Sequence, residues 1–140
     1  MSKKVVYRLT TKYASCQLDA AINAAIFLGR DIVTDDLFEW LVDQTSCRYG
    51  PVINIHPALR VLGLQLIKGS WRLSWVKNNL PVVVGYNDPK HGYHGVLVVD
   101  VIDRSVVMVN AAFETILWGH LLEKRIPAQH VVPFSYRLVR

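Results

Sequence analysis

Residues 13–21 read Tyr-Ala-Ser-Cys-Gln-Leu-Asp-Ala-Ala, and this stretch predicts a helix with a cysteine in its first turn. Ser15 is a suitable N-cap, and from Gln17 onward apolar residues recur at helical spacing until Gly29 ends the run. In the first turn of a helix, unpaired backbone N–H groups and the positive end of the helix dipole favour a thiolate over a thiol. Cys16 is therefore a candidate nucleophile; the alternative is a small buried apolar residue, the commonest fate of a free cysteine.

Two further candidate residues lie at the ends of predicted strands. Residues 81–85, 95–102 and 106–109 are rich in valine and are separated by turn-forming residues, so they predict strands joined by hairpins. His94 stands at the mouth of the second strand, and Asn110 follows the third. Antiparallel neighbours run in opposite directions, so the start of one strand and the end of the next reach the same end of the sheet. An imidazole and an amide are therefore expected close together.

The register of this hairpin decides whether the two side chains meet. A symmetric turn about Arg104 places Asn110 opposite Val98, so a meeting with His94 requires an asymmetric turn or a β-bulge. The amide oxygen of Asn110 then accepts from one ring N–H of His94 and leaves the other nitrogen facing Cys16. Without that meeting, His94 is an ordinary strand-start residue and Asn110 an ordinary turn residue.

Nearby residues offer alternatives for the second and third positions. His91 lies three residues before His94 in a loop-like stretch, where we expect a residue at the rim of the site rather than the base. Asp100 and Asp103 are alternatives to Asn110. Asp103 falls in the predicted hairpin turn, at the far end from His94, which argues against it.

The order of these segments resembles a papain-like cysteine peptidase. The resemblance lies in Ser-Cys-Gln-Leu-Asp-Ala-Ala at 15–21, the amphipathic segment 70–80 running into Pro-Val-Val-Val, His-Gly-Val-Leu-Val-Val at 94–99, and Val-Met-Val-Asn at 107–110. The order and spacing of these segments are most similar to those of the peptidases that cut double-glycine leader peptides from bacteriocin precursors. The Cys-x-Leu-Asp-Ala motif also resembles that of small viral leader proteases. This implies an α+β fold of one domain over residues 1–140, with an N-terminal helical part whose nucleophile helix packs on an antiparallel β-sheet.

The resemblance also assigns roles by matching position. Cys16 corresponds to the nucleophile, His94 to the general acid/base and Asn110 to its orienting partner. Such a triad implies a thiol hydrolase that cleaves a peptide or isopeptide bond in a peptide or protein substrate.

One position departs from the family pattern. These peptidases usually carry Gln or Asn five or six residues before the cysteine as an oxyanion donor, whereas this chain has Thr11 and Thr10 there and Gln17 after it. Thr11 is our first choice for the donor and Gln17 the second. A lost donor costs about 100-fold to 1000-fold in rate. The alternative function is therefore a weak or inactive papain-like pseudo-enzyme that acts as a protein-binding module.

Composition narrows the class of protein. Of 140 residues, 51% are apolar and 19% charged, which indicates a globular chain, and no apolar run approaches the length of a membrane span. The net charge of +5 is scattered without a basic stripe, so we expect no nucleic-acid partner. The start of the chain lacks the apolar core of a signal peptide, and two cysteines make no disulfide framework, which favours the cytoplasm.

Metal binding is not expected either. His56, His91, His120 and His130 show no metal-ligand spacing with one another or with the cysteines, so the sequence predicts neither a metal nor a cofactor. The sequence indicates no particular oligomeric state. Outside the candidate site, the patterns predict strands at 5–9, 64–68 and 131–139 and helices at 34–44, 57–62 and 114–124.

Overall fold

The computed structural model describes residues 6–9, 16–88, 92–109, 112–124 and 132–139, with only the backbone of residues 87, 88, 92, 93 and 124. Within these ranges the helices are α1 (Cys16–Phe27), α2 (Asp35–Gln44), α3 (His56–Leu62), α4 (Leu73–Asn78) and α5 (Trp118–Lys124). The strands are β1 (Leu64–Lys68), β2 (Val82–Asp88), β3 (Gly92–Ile102), β4 (Ser105–Val109), β5 (Phe113–Leu117) and β6 (Phe134–Leu138). No helix among the described residues is long and apolar enough to cross a membrane.

The strands form one antiparallel sheet in the order β1-β6-β2-β3-β4-β5. Because side chains alternate between the two faces of a strand, the sheet supports two cores. One core joins Leu97 and Tyr136 to helices α1, α2 and α3, and the other joins Val82 and Val98 to α4 and α5. The α+β class, with the cysteine-bearing helix on an antiparallel sheet, is confirmed.

Helix α1 is the central helix of the first core. Every residue from 18 to 25 is buried, including four alanines, and their small side chains let the helix approach the sheet closely. The helix ends as its sequence predicts: Gly29 has φ 89°, and the backbone N–H of Arg30 donates to the Ala25 carbonyl at 2.7 Å. Any other residue at position 29 would be strained, because this φ is in the left-handed region that favours glycine.

Two further helices follow their sequence signals. Thr34 caps α2 by accepting from the Leu37 backbone N–H at 3.1 Å, and two acidic residues occupy its first turn. Helix α3 ends at Gly63, which takes a left-handed conformation before β1.

The predicted first strand is wrong in its described part. Residues 6–9 belong to no strand. Instead, the buried Asn23 side chain accepts from the Arg8 backbone N–H at 2.7 Å and donates to the Arg8 carbonyl at 3.0 Å. A side-chain amide thus satisfies the main chain as a neighbouring strand would, and no pairing to the sheet is needed there.

The predicted helix over residues 114–124 is also partly wrong. Its first half is β5, in which Ile116 pairs with Val106 of β4, and α5 begins only at Trp118. Trp118 and Leu121 are buried in the second core. Apolar residues do recur at helical spacing in this segment. Pairing of its first half with the edge of β4 nevertheless outweighed that local preference for a helix.

Candidate active site

Cys16 is the first residue of α1. It is half-buried and forms no disulfide. Its place at the helix start agrees with the sequence prediction, and such a position leaves backbone N–H groups without helical acceptors. Those groups are the donors that a thiolate, or an oxyanion forming beside it, requires.

The first turn of α1 rests on β3 at a glycine. A Cβ added to Gly95 would lie 3.5 Å from Cγ of Gln17, an ordinary van der Waals separation. Gln17 follows Cys16 in the chain, and Gly95 follows His94. The nucleophile candidate and the imidazole candidate are therefore each one residue from the contact between helix and sheet.

His94 lies deeper in the hairpin than the sequence predicts. β2 continues to Asp88 and β3 already begins at Gly92, so both strands are longer than the sequence predicts. His94 is consequently inside the paired region, opposite Tyr86, with the two rings edge to face and their centroids 5.7 Å apart. The description of His94 as standing at the mouth of its strand is thus corrected.

Alternation along β3 places His94 on the sheet face opposite to that of Gly95. Tyr86, which is 2% exposed, belongs to the core on the α4 and α5 side, so its cross-strand neighbour His94 is on that side too. The imidazole is half-buried. The His94 ring and the first turn of α1 are therefore on opposite faces of β3, with the backbone of Gly95 between them.

The hairpin between β3 and β4 contains a β-bulge, whereas the expected meeting of Asn110 with His94 lies outside the described residues. The hairpin turn is Asp103 and Arg104, with φ 53° at Asp103, and the pairing slips between Val98 and Asp100 in the β-bulge. The last described pair is Leu97 with Val109.

The two aspartates considered as alternative third members differ in position. Asp103 is at the end of the hairpin away from His94, as predicted. Asp100 is exposed, and its carboxylate accepts from the Val101 backbone N–H at 2.8 Å.

Several predicted site residues lie outside the described residues. These are Asn110, the oxyanion candidates Thr10 and Thr11, and the alternative base His91. Their roles remain predictions.

Cys47, the second cysteine, has a different environment. It is 0% exposed, and its Sγ lies 3.5 Å from Oγ1 of Thr45. Burial raises the pKa of the Cys47 thiol; the contact with Thr45 opposes that rise, and the negative charge of Asp19 adds to it. Asp19 is itself buried in α1, one turn after Cys16. Cys47 is a core thiol whose neutral form is favoured.

A cavity of about 160 Å³ opens on the α1 side of the sheet. Gln17 lines it together with the glycine pair Gly85 and Gly95, which are opposite each other in β2 and β3. Leu66 and Phe134 belong to its other wall. Sequence reasoning missed this feature. The signal was present as two glycines inside valine-rich strands, but only the register shows that they are neighbours.

In the described part of the chain, no group of three or more His, Cys, Asp or Glu side chains is arranged to hold a metal ion.

Comparison with known structures identifies the architecture. A crystal structure of a double-glycine-motif protease from an AMS/PCAT transporter, in complex with the leader peptide, superimposes with a TM-score of 0.65. The match covers 97% of this chain and 93% of that chain, at 16% sequence identity. At this identity the likeness shows the fold, which is papain-like. No protein-family model and no curated protein sequence matches the chain.

Proposed function

We propose that residues 1–140 act as one papain-like cysteine peptidase domain that hydrolyses a peptide or isopeptide bond. The observation that carries this proposal is the contact of the first turn of α1 with β3, where Cys16 and His94 each adjoin the touching residues Gln17 and Gly95. The papain-like fold, which the chain shares with a double-glycine-motif protease, supports it.

The chemistry requires a thiolate beside an imidazolium, so the His94 ring has to reach the sulfur past the backbone of Gly95 from the sheet face that it shares with Tyr86. The Cys16 sulfur attacks the substrate carbonyl carbon, and His94 donates its proton to the departing amine. A water molecule then gives a proton to His94 and its hydroxide to the acyl carbon. The C–S bond breaks with its electron pair going to sulfur, which releases the acid and restores the thiolate–imidazolium pair. Asn110 orients the His94 ring through the nitrogen that does not face the sulfur.

The oxyanion is stabilised by the Cys16 backbone N–H and by one further donor. Thr11 is the first choice for this donor, and Gln17 is the second. Adjacent helical residues point about 100° apart, so the Gln17 amide has to fold back over the first turn to reach the reacting carbonyl. A hydroxyl is a weaker donor than a well-placed amide, which predicts a slow enzyme.

The partner is a peptide or protein. The similar protease is bound to a leader peptide, and a papain-like cleft between helix and sheet suits an extended chain. We place the reaction in the cytoplasm, with no nucleic acid or cofactor taking part.

The test is turnover of a diverse peptide library, read by mass spectrometry. Wild type should cleave, while Cys16→Ala, with the thiol removed, and His94→Ala should not. Thr11→Val should lower kcat more than Gln17→Ala if the hydroxyl is the donor. Activity lost only in Gln17→Ala would move the role to Gln17. No turnover by wild type, with tight peptide binding retained by Cys16→Ala, would instead establish the pseudo-enzyme.

A further inference from the structure

The cavity beside α1 exists because two facing residues lack side chains. Gly85 and Gly95 pair across β2 and β3, on the face where Val83 and Leu97 form the preceding pair. Leu97 is fully buried in the first core, so the same face is filled by hydrocarbon one step along the sheet. At the glycine pair the missing side chains leave space, and the volume of about 160 Å³ lies there.

This space lies beside the contact between the first turn of α1 and β3. Gln17 lines the cavity and follows Cys16, and Gly95 lines it and follows His94. A substrate whose scissile carbonyl rests at Cys16 therefore has a neighbouring side chain within reach of the cavity.

The residues that line the cavity determine which kind of side chain it can bind. None of the described lining residues is charged, and Ile55, Leu66 and Phe134 present hydrocarbon or aromatic groups. An apolar cavity of about 150 Å³ accommodates a benzene-sized group. The space therefore suits a leucine, methionine or phenylalanine side chain, and it disfavours a charged one, which would lose its hydration without a compensating partner.

We propose that Gly95 is a specificity-determining residue, and that the cavity it opens binds an apolar side chain of the substrate next to the cleaved bond. This inference rests on the proposed peptidase function. It defines the substrate class as peptides with Leu, Met or Phe beside the scissile bond.

The structure supplies a conservative variant and its matched control. In Gly95→Ala the new methyl meets only Cγ of Gln17, at 3.5 Å, so the variant should fold while the methyl occupies the cavity. Gly119→Ala is the control, because a Cβ at this exposed position of α5 meets nothing within 4 Å.

The first measurement compares kcat/KM for two peptides that differ only in Leu or Ala beside the cleaved bond. Wild type should prefer Leu, and Gly95→Ala should lose about tenfold or more of that preference, the usual cost of one methylene of misfit in an apolar pocket. Gly119→Ala should keep the wild-type preference. Cleavage with the same Leu preference in wild type and Gly95→Ala would overturn the proposal.

The second measurement does not depend on peptidase activity. Cys16 is alkylated with iodoacetamide and with N-isobutyl iodoacetamide, in which the thiolate displaces iodide, and the ratio of the two rates is taken. The isobutyl group should raise the rate in wild type and not in Gly95→Ala. With this result, an absence of peptide turnover would refute the peptidase and leave the cavity assignment standing. Equal ratios in both proteins would overturn the cavity assignment even if peptides are cleaved.

A third variant covers the case in which Gly95→Ala fails to fold. Leu66→Ala removes part of the opposite wall, so its alkylation preference should move from the isobutyl reagent toward the larger N-benzyl reagent. A preference that stays as in wild type would count against the proposal.

Discussion

The two cysteines of this chain occupy opposite kinds of environment in the same half of the fold. Cys16 begins α1 and is half-buried, whereas Cys47 follows α2 and is 0% exposed. Burial and the charge of Asp19 raise the pKa of the Cys47 thiol, so the neutral form is favoured there. The start of α1 instead offers backbone N–H groups to an anionic sulfur.

The structure thus places one thiol at a helix start and the other inside the first core. A thiol at a helix start can meet a substrate, while a thiol inside the first core contributes packing.

The largest contrast should be the rate of alkylation at neutral pH. Iodoacetamide should modify Cys16 at least about 1000-fold faster than Cys47, because Cys47 becomes accessible only when the core opens, at a free energy of several kcal/mol. Peptide mass spectrometry over a time course measures both rates. Adding urea should bring Cys47 up to the rate of a free thiol, and similar rates in the folded protein would break the contrast.

A smaller effect should come from the imidazole. In His94→Ala at about pH 6, alkylation of Cys16 should slow on the order of 100-fold, because no imidazolium remains beside the sulfur to stabilise it as the reactive anion. Cys47 should be unaffected. The control is His91→Ala, which should change little; if it has the larger effect, His91 is the base.

The smallest effect should appear in the pH dependence of stability. The Cys47 thiol has a raised pKa in the folded protein, so above about pH 8.5 the unfolded chain loses this proton while the folded one keeps it. Stability conferred by the neutral thiol is therefore complete at lower pH and falls as pH rises through this window, by at most about 1.4 kcal/mol per pH unit.

Urea unfolding of wild type and Cys47→Ala between pH 7 and pH 10 measures how the ionisation of Cys47 contributes to the free energy of unfolding. The variant should show a shallower loss of stability at alkaline pH. Tyr7 also has a pKa raised by burial and acts in the same direction, but it is present in both proteins and cancels in the difference. Parallel curves would show that Cys47 ionises equally in the folded and unfolded states.

Much of the helical framework could be predicted from the sequence because its signals are local. The helix start at Cys16, its end at Gly29, the cap at Thr34 and the stop at Gly63 each depend on the conformational preference of one or two neighbouring residues. The valine-rich strands were equally evident, because alternation and β-branched residues act within a single segment.

Other features depended on which segments became neighbours. The first predicted strand was replaced by a side-chain contact with Asn23, fifteen residues beyond Arg8, and half of the last predicted helix joined β4 as β5. Local periodicity cannot report such competition, since its outcome depends on hydrogen-bonding groups that are distant in the chain.

The candidate site also combines features that local sequence determines with features that depend on tertiary contacts. The sequence determined that a cysteine begins a helix and that a histidine enters a hairpin, since capping and turn residues are read locally. Only the tertiary structure decided that the pairing slips between Val98 and Asp100, that Gly85 faces Gly95, and that Gln17 packs on that glycine. These relations depend on strand register and on the docking of α1, where a one-residue slip would turn each strand side chain to the other face of the sheet.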